Sequence, residues 1–200
     1  MTSLDIAGNH VVDAVDELAK VLAPTVNMDW DLITPTLIWT QEQTAIHTMR
    51  ACLEYSYQVV GGRMDTYQPV LFEKKEHATP ADLLVMISTA GRVLEKVVKT
   101  STINDRAWHS YGVSDPIGFA AMGVVEVSVH TYDLAKGFGI DFVPLKELAD
   151  FAITRLFAGT VEFPDVPETD SGKLLLWCAG RIVLAGLPQR QGWKWNGQVR

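Results

Sequence analysis

The sequence predicts an all-α fold: a bundle of four long helices, followed by shorter C-terminal helices and a tail. Three observations lead there. Apolar residues recur at helical spacing in four long segments. Those segments open on side chains that cap helices or close on glycine or proline. Only two short stretches, residues 67–72 and 106–113, read as strands, too few for a sheet-based fold.

In the first segment Val11, Val12, Val15, Leu18 and Leu22 share one face, and Pro24 ends it. A proline-broken loop through Trp30 and Pro35 follows. The second helix opens at Thr40 with Gln43 as its capping-box partner, runs through Ile46, Met49, Leu53, Tyr57 and Val60, and stops at Gly61-Gly62. The third takes Thr79 as N-cap, Pro80 at its first position and Asp82 in its first turn. Its apolar positions include Leu83, Ile87, Ala90, Leu94 and Val98. The fourth begins at Ser114-Asp115-Pro116 and reaches Lys136, where Gly137 and Gly139 end it. A fifth starts at Pro144 and carries Leu145, Leu148, Phe151, Leu156 and Phe157. A proline-rich acidic loop then spans residues 162–170, a last short helix covers 172–184, and the tail carries Gly192-Trp193-Lys194-Trp195. The expected organisation is one domain over residues 1–200, with a bundle core at 5–160 and a C-terminal extension at 161–200. Internal repeats and low-complexity tracts are absent.

Composition narrows the function. The 200 residues carry 17 Lys and Arg against 24 Asp and Glu, a net charge of −7, which argues against nucleic acid or anionic membrane held by bulk charge. With 48% hydrophobic and 20% charged residues, the chain belongs with globular proteins rather than disordered ones. Cys52 and Cys178 form no CxxC pair, so neither a disulfide scaffold nor a zinc ribbon is expected. The first residues lack a basic stretch followed by an apolar run, and no segment reads as a membrane span. The expectation is a cytoplasmic protein with neither a nucleic-acid nor a membrane partner.

The fourth helix raises the functional question. Residues 118–130 are almost all apolar, as a helix buried around much of its circumference requires, yet Glu126 and His130 sit among them. One turn apart, they are separated by about 40° around the axis and share a face. Asp133 falls near the same face. A buried carboxylate costs several kcal/mol unless something compensates it. Glu and His at this spacing can both reach one cation, by an oxygen and a nitrogen. The alternative is a solvated stripe in which Glu126 merely pairs with His130. Ser128, Thr131 and Tyr132, on the other side, are equally able to form the wet face. The zincin motif H-E-x-x-H is absent, and a third ligand has to come from another helix. His47 lies beside the apolar stripe of the second helix, as either a ligand or a satisfied core histidine. His77, in a charged run, reads as solvated; His10 and His109 read as structural. Spacing leaves these alternatives open.

Motifs add a resemblance. Trp39-Thr40, with His47 eight residues after the tryptophan, resembles the start of the second helix in DinB-like proteins. More narrowly, it resembles the N-terminal domain of the mycothiol-dependent maleylpyruvate isomerase group. The stretch Glu126-Val-Ser-Val-His130-Thr-Tyr-Asp133-Leu-Ala, closed by Gly139, is similar to that group's E-x-x-x-H-x-W-D-L-A. Leu174-Leu-Leu-Trp177-Cys-Ala-Gly180-Arg181 resembles a third stretch that follows the bundle in these actinobacterial proteins. The resemblance covers residues 5–195. It departs at Leu37-Ile38-Trp39, where Pro-Gly-Trp is usual, and at Tyr132, where Trp is common.

What the resemblance implies is a four-helix bundle with a metal site at one end. Carried over residue by residue, the ligands are His47, Glu126 and His130, with zinc as the ion and nickel or another divalent metal as alternatives. Three protein ligands leave open positions, the arrangement of catalytic rather than sealed structural sites. In the family the open position is associated with a low-molecular-weight thiol, mycothiol, which zinc would hold as its reactive thiolate. Asp133 is then either a partner that orients a ligand or a helix-stabilising contact. Arg181 either holds a carboxylate of the thiol or substrate or is an ordinary surface or helix-terminal arginine. The residues after His130 are too few for the isomerases' separate C-terminal domain, so their substrate is not carried over.

The expected function is therefore a metal-dependent, thiol-activating enzyme, transferase- or isomerase-like, acting on a small electrophile. The alternatives are hydrolysis of an ester or amide by metal-held hydroxide, a non-catalytic metal-binding or dimerising protein, and a polar stripe that serves only as a homodimer contact. Trp193 and Trp195 flank Lys194 as in a base-stacking platform. The net charge is wrong for nucleic acid, and they are expected to pack the tail onto the bundle.

Overall fold

Three of the four long helices start on the same device. In the computed structural model, which describes residues 1–163, 170–184 and 186–199, reciprocal capping boxes open α1 (Ser3–Leu22), α2 (Gln41–Gly61) and α3 (Pro80–Thr100). The pairs are Thr2 with Asp5, Thr40 with Gln43, and Thr79 with Asp82. Asp115 caps α4 (Pro116–Gly137) by accepting from the Gly118 amide at 2.7 Å. α5 (Lys146–Ala152) and α6 (Ser171–Cys178) are short. The described residues contain no strand, and the all-α expectation holds.

Amphipathic faces dictate the packing. α1 and α2 each pack against both α3 and α4, so the two chain neighbours α1 and α2 lie across the bundle from one another. The crossover between them, residues 23–40, is held by Trp30, which is buried and donates its indole N–H to the Thr25 carbonyl at 2.9 Å. α4 meets α1 and α2, and also α5 and the segment after it, which covers a further side. Its near-continuous apolar sequence follows from that, and Ser128 and Thr131, offered by the sequence as a wet face, are buried.

Several boundaries differ from the sequence expectation. Residues 67–72 form no ladder; α2 side chains take up their backbone groups instead, Gln58 donating to the Thr66 carbonyl and accepting from the Gln68 amide, and Arg50 donating to the Phe72 carbonyl. Residues 106–113 contribute only to an isolated bridge between Ala107 and Ser114. The fifth helix starts at Lys146 and widens into a π-turn over Ile153–Phe157. The last helix ends at Cys178 rather than Leu184, because Gly180 turns left-handed at φ +66°. A Cβ there would approach Trp193 Cδ1 to 2.6 Å, so the turn requires glycine. Of the acidic loop, residues 164–169 lie outside the described residues. Among the described residues no helix is long and apolar enough to cross a membrane.

The tail returns to the bundle. Asn196 donates its amide to the Leu156 carbonyl and Gly197 to that of Tyr111, both at 2.9 Å. Arg155, paired with Asp115 at 3.0 Å, also reaches the Gly197 and Gln198 carbonyls. Trp195 is thereby buried among Phe157, His109 and Tyr111, which is the tail packing its sequence suggested.

Two expectations test this packing. At Gly91 a Cβ would come within 2.5 Å of Cγ1 of the fully buried Val15, so α1 and α3 approach closely there. Gly91→Val is expected to destabilise by about 1–3 kcal/mol in urea denaturation, with most of the loss relieved in a Val15→Ala background. On α1, burial pushes the Glu17 carboxyl up from 4.5 to about 7. The folded state therefore binds this proton more tightly, and Glu17's contribution is lost as pH rises through that range. Glu17→Gln should gain on wild type in urea denaturation at about pH 8 and not at about pH 4.

Candidate metal centre

Two helices bring three donors together. His47 stands on α2 and Glu126 with His130 on α4, and a ligand atom from each lies within 4.8 Å of the other two. Glu126 Oε2 is 3.2 Å from His47 Nε2 and 3.3 Å from His130 Nε2. The two imidazoles meet edge to face, 5.0 Å between centroids at 89°. These are the three residues that the resemblance carried over as ligands, and the structure brings them together.

Each donor is held from behind. Asp133 accepts from His130 Nδ1 at 2.9 Å, which fixes a proton on Nδ1 and turns Nε2 toward Glu126. Tyr55 donates its hydroxyl to Glu126 Oε1 at 3.2 Å, leaving Oε2 for the histidines. Trp39 lies against the His47 ring, 4.8 Å between centroids. His47, Ala51 and Tyr55 are successive turns of one face of α2, and the small Ala51 leaves room between the two larger side chains.

Arg181 has a definite partner. Its Nε and Nη2 donate to Asp133, with the nearest contact at 2.9 Å, and its Nη1 donates to the Ala179 carbonyl at 2.8 Å. Thr36 also donates to Asp133 Oδ1. Arg181 is thus neither a surface arginine nor a free cation: its guanidinium balances a fully buried carboxylate while one side of it lines the cavity described below. Asp133 does two jobs at once, orienting His130 and tying the C-terminal segment to α4.

Electrostatics follow from burial and pairing. Burial alone would push the Glu126 carboxyl up, but hydrogen bonds from His130 and His47 outweigh it and hold the acid well below its usual range. Burial alone would lower His130, but Asp133 and Glu126 raise it to about 9. Asp133 is lowered by His130 and Arg181 against its own burial. Burial, then the Glu126 charge, keeps the Tyr55 phenol protonated and able to donate. The Glu126 and Asp133 carboxylates face one arginine, and the proton held on His130 completes the charge balance, a place that a cation at the triad could take over. Two imidazole nitrogens and a carboxylate oxygen are a donor set that suits a divalent transition metal, and the cluster can hold such an ion.

The cluster opens onto a cavity of about 410 Å³. Trp39 and Leu37 from the crossover form one side, and Tyr67, His109 and Tyr111 from the loops form another. Trp193 and Trp195 from the tail complete it. Sequence reasoning placed none of these at the site: Trp39 entered through the motif before the second helix, His109 as structural, and Trp193 and Trp195 as tail packing.

Asp133 yields a test. Asp133→Leu strands a buried guanidinium and is expected to cost about 3–5 kcal/mol in urea denaturation. The double variant Asp133→Leu with Arg181→Met, which removes both charges, is expected to recover most of that loss.

Comparison with known proteins adds no identity: the chain matches no family model, no curated protein and no solved structure.

Proposed function

We propose that the chain is a DinB-like four-helix bundle protein, akin to the mycothiol-dependent maleylpyruvate isomerase group. In this reading it is a cytoplasmic enzyme that uses zinc, or nickel, at His47, Glu126 and His130 to activate a small thiol, mycothiol, toward a small electrophile. One observation carries the reading: three ligand atoms converge on the floor of a cavity, with no fourth protein ligand among the described residues. A sealed structural site would have one.

When bound, a divalent cation would supply the positive charge that keeps a thiol as its thiolate at neutral pH. The chain's own residues do the remaining work. Asp133 keeps the His130 proton on Nδ1, and Tyr55 steers Glu126 by occupying Oε1. Trp39 backs His47. The tail tryptophans give the cavity apolar wall beside the triad. The nucleophile has to come from outside, because burial pushes Cys52 up to about 12 and Cys178 to about 11. Neither protein thiol is poised to react.

Elemental analysis of the purified, untagged protein beside His130→Ala is the test. About one equivalent of zinc or nickel in wild type, lost in the variant, is expected, together with metal-dependent consumption of mycothiol in the presence of electrophiles. A wild type that takes up no divalent ion overturns the reading. Turnover that needs no thiol replaces it with hydrolysis.

A further inference from the structure

The cavity has a second polar feature, on the side away from the triad. His109 is 4% exposed, yet it forms part of the cavity wall. Its Nδ1 accepts the Tyr111 amide at 3.1 Å, so its ring proton sits on Nε2, and Nε2 has no partner among the described residues. The neighbouring Trp195, 5.8 Å away between centroids, carries a buried indole N–H that also lacks an acceptor. The indole N–H is sealed from solvent, whereas His109 Nε2 keeps some solvent contact, so it is the donor that a ligand in the cavity can reach.

The surroundings say what would satisfy it. Tyr67 and Tyr111 stand edge-on to the His109 ring at 5.8 and 5.5 Å, so this donor lies among aromatic side chains suited to a flat ligand. Charged side chains on the wall are Glu54, Glu126, His130 and Arg181, and both cations are held by Asp133. With no free cation among them, the wall suits a neutral acceptor oxygen better than a carboxylate. Burial lowers His109 to about 4, which keeps the ring neutral. Tyr55 lies between His109 and Glu126, 5.9 Å from the His109 ring and hydrogen-bonded to the carboxylate, so a ligand seated on His109 adjoins the triad.

We infer that this aromatic wall seats the electrophile, and that His109 Nε2–H holds the carbonyl oxygen of a planar, conjugated carbonyl compound. The choice of an electrophile rests on the thiol chemistry proposed above; the binding site itself does not. His109 would set specificity and orientation rather than take part in proton transfer.

Calorimetric titration of the protein as purified with 2-acetylnaphthalene and with 2-ethylnaphthalene tests this, since the two share a shape and differ in the acceptor. Wild type is expected to prefer the ketone by about tenfold. His109→Phe should bring the two ligands to near-equal affinity, and His109→Gln, which keeps an N–H donor, should restore part of the preference. Equal affinities in wild type, or no binding of either compound, overturn the inference even if His109→Phe does not fold. Metal content measured on the same sample separates the two ideas. A ketone preference without metal removes only the thiol reading, and metal without a ketone preference removes only this one.

Discussion

A single carboxylate, Glu126, sits in the middle of the most deeply buried helix, and the surrounding polar architecture exists to support it. An isolated charge in such a place costs several kcal/mol, far more than neighbouring apolar packing returns. The chain offsets that cost with a relay of partners. Tyr55 holds one oxygen, two imidazoles face the other, and one imidazole leans on Asp133. Asp133 is in turn balanced by Arg181. Each member is satisfied only because the next is present, so the network behaves as a unit rather than as five separate contacts.

That relay crosses the whole topology. Tyr55 and His47 come from α2, Glu126, His130 and Asp133 from α4, Thr36 from the crossover, and Arg181 from just beyond α6. A polar network contributed by so many segments specifies how they dock, which an apolar core of interchangeable aliphatic side chains does less sharply. It also explains why the C-terminal segment lies where it does. Arg181 and Arg155 fasten its two ends to α4 and the π-turn, and the tryptophans between them are thereby laid across the cavity.

The cavity divides its chemistry. One end gathers acidic and imidazole groups suited to a cation; the other presents aromatic faces and the His109 ring N–H, suited to a flat, neutral molecule. Tyr55 is the partition, touching both. The proposed enzyme would use the two ends for its two reactants, which is why the nature of each end can be probed by itself. Fold alone would not select that chemistry, since helical bundles host many unrelated sites.

Local rules made much of this legible in the sequence. A capping box at Thr40, the N-cap Thr79 with Pro80 after it, apolar periodicity, and Gly61-Gly62 placed the long helices, because each signal acts within a turn or two of chain. The i, i+4 spacing of Glu126 and His130 placed two donors on one face for the same reason, and motif resemblance pointed to His47 as the third. Tertiary structure alone decided the rest. Where residues 67–72 send their backbone hydrogen bonds depended on Gln58 and Arg50, side chains on α2. Whether Arg181 faced solvent depended on Asp133, nearly fifty positions earlier in the chain. The aromatic wall of Tyr67, His109, Trp193 and Trp195 is invisible to periodicity because its members lie in loops and tail, where no repeat sets their direction. Only the return of the chain onto the bundle, fixed by long-range hydrogen bonds and burial, brings them to the mouth of the site.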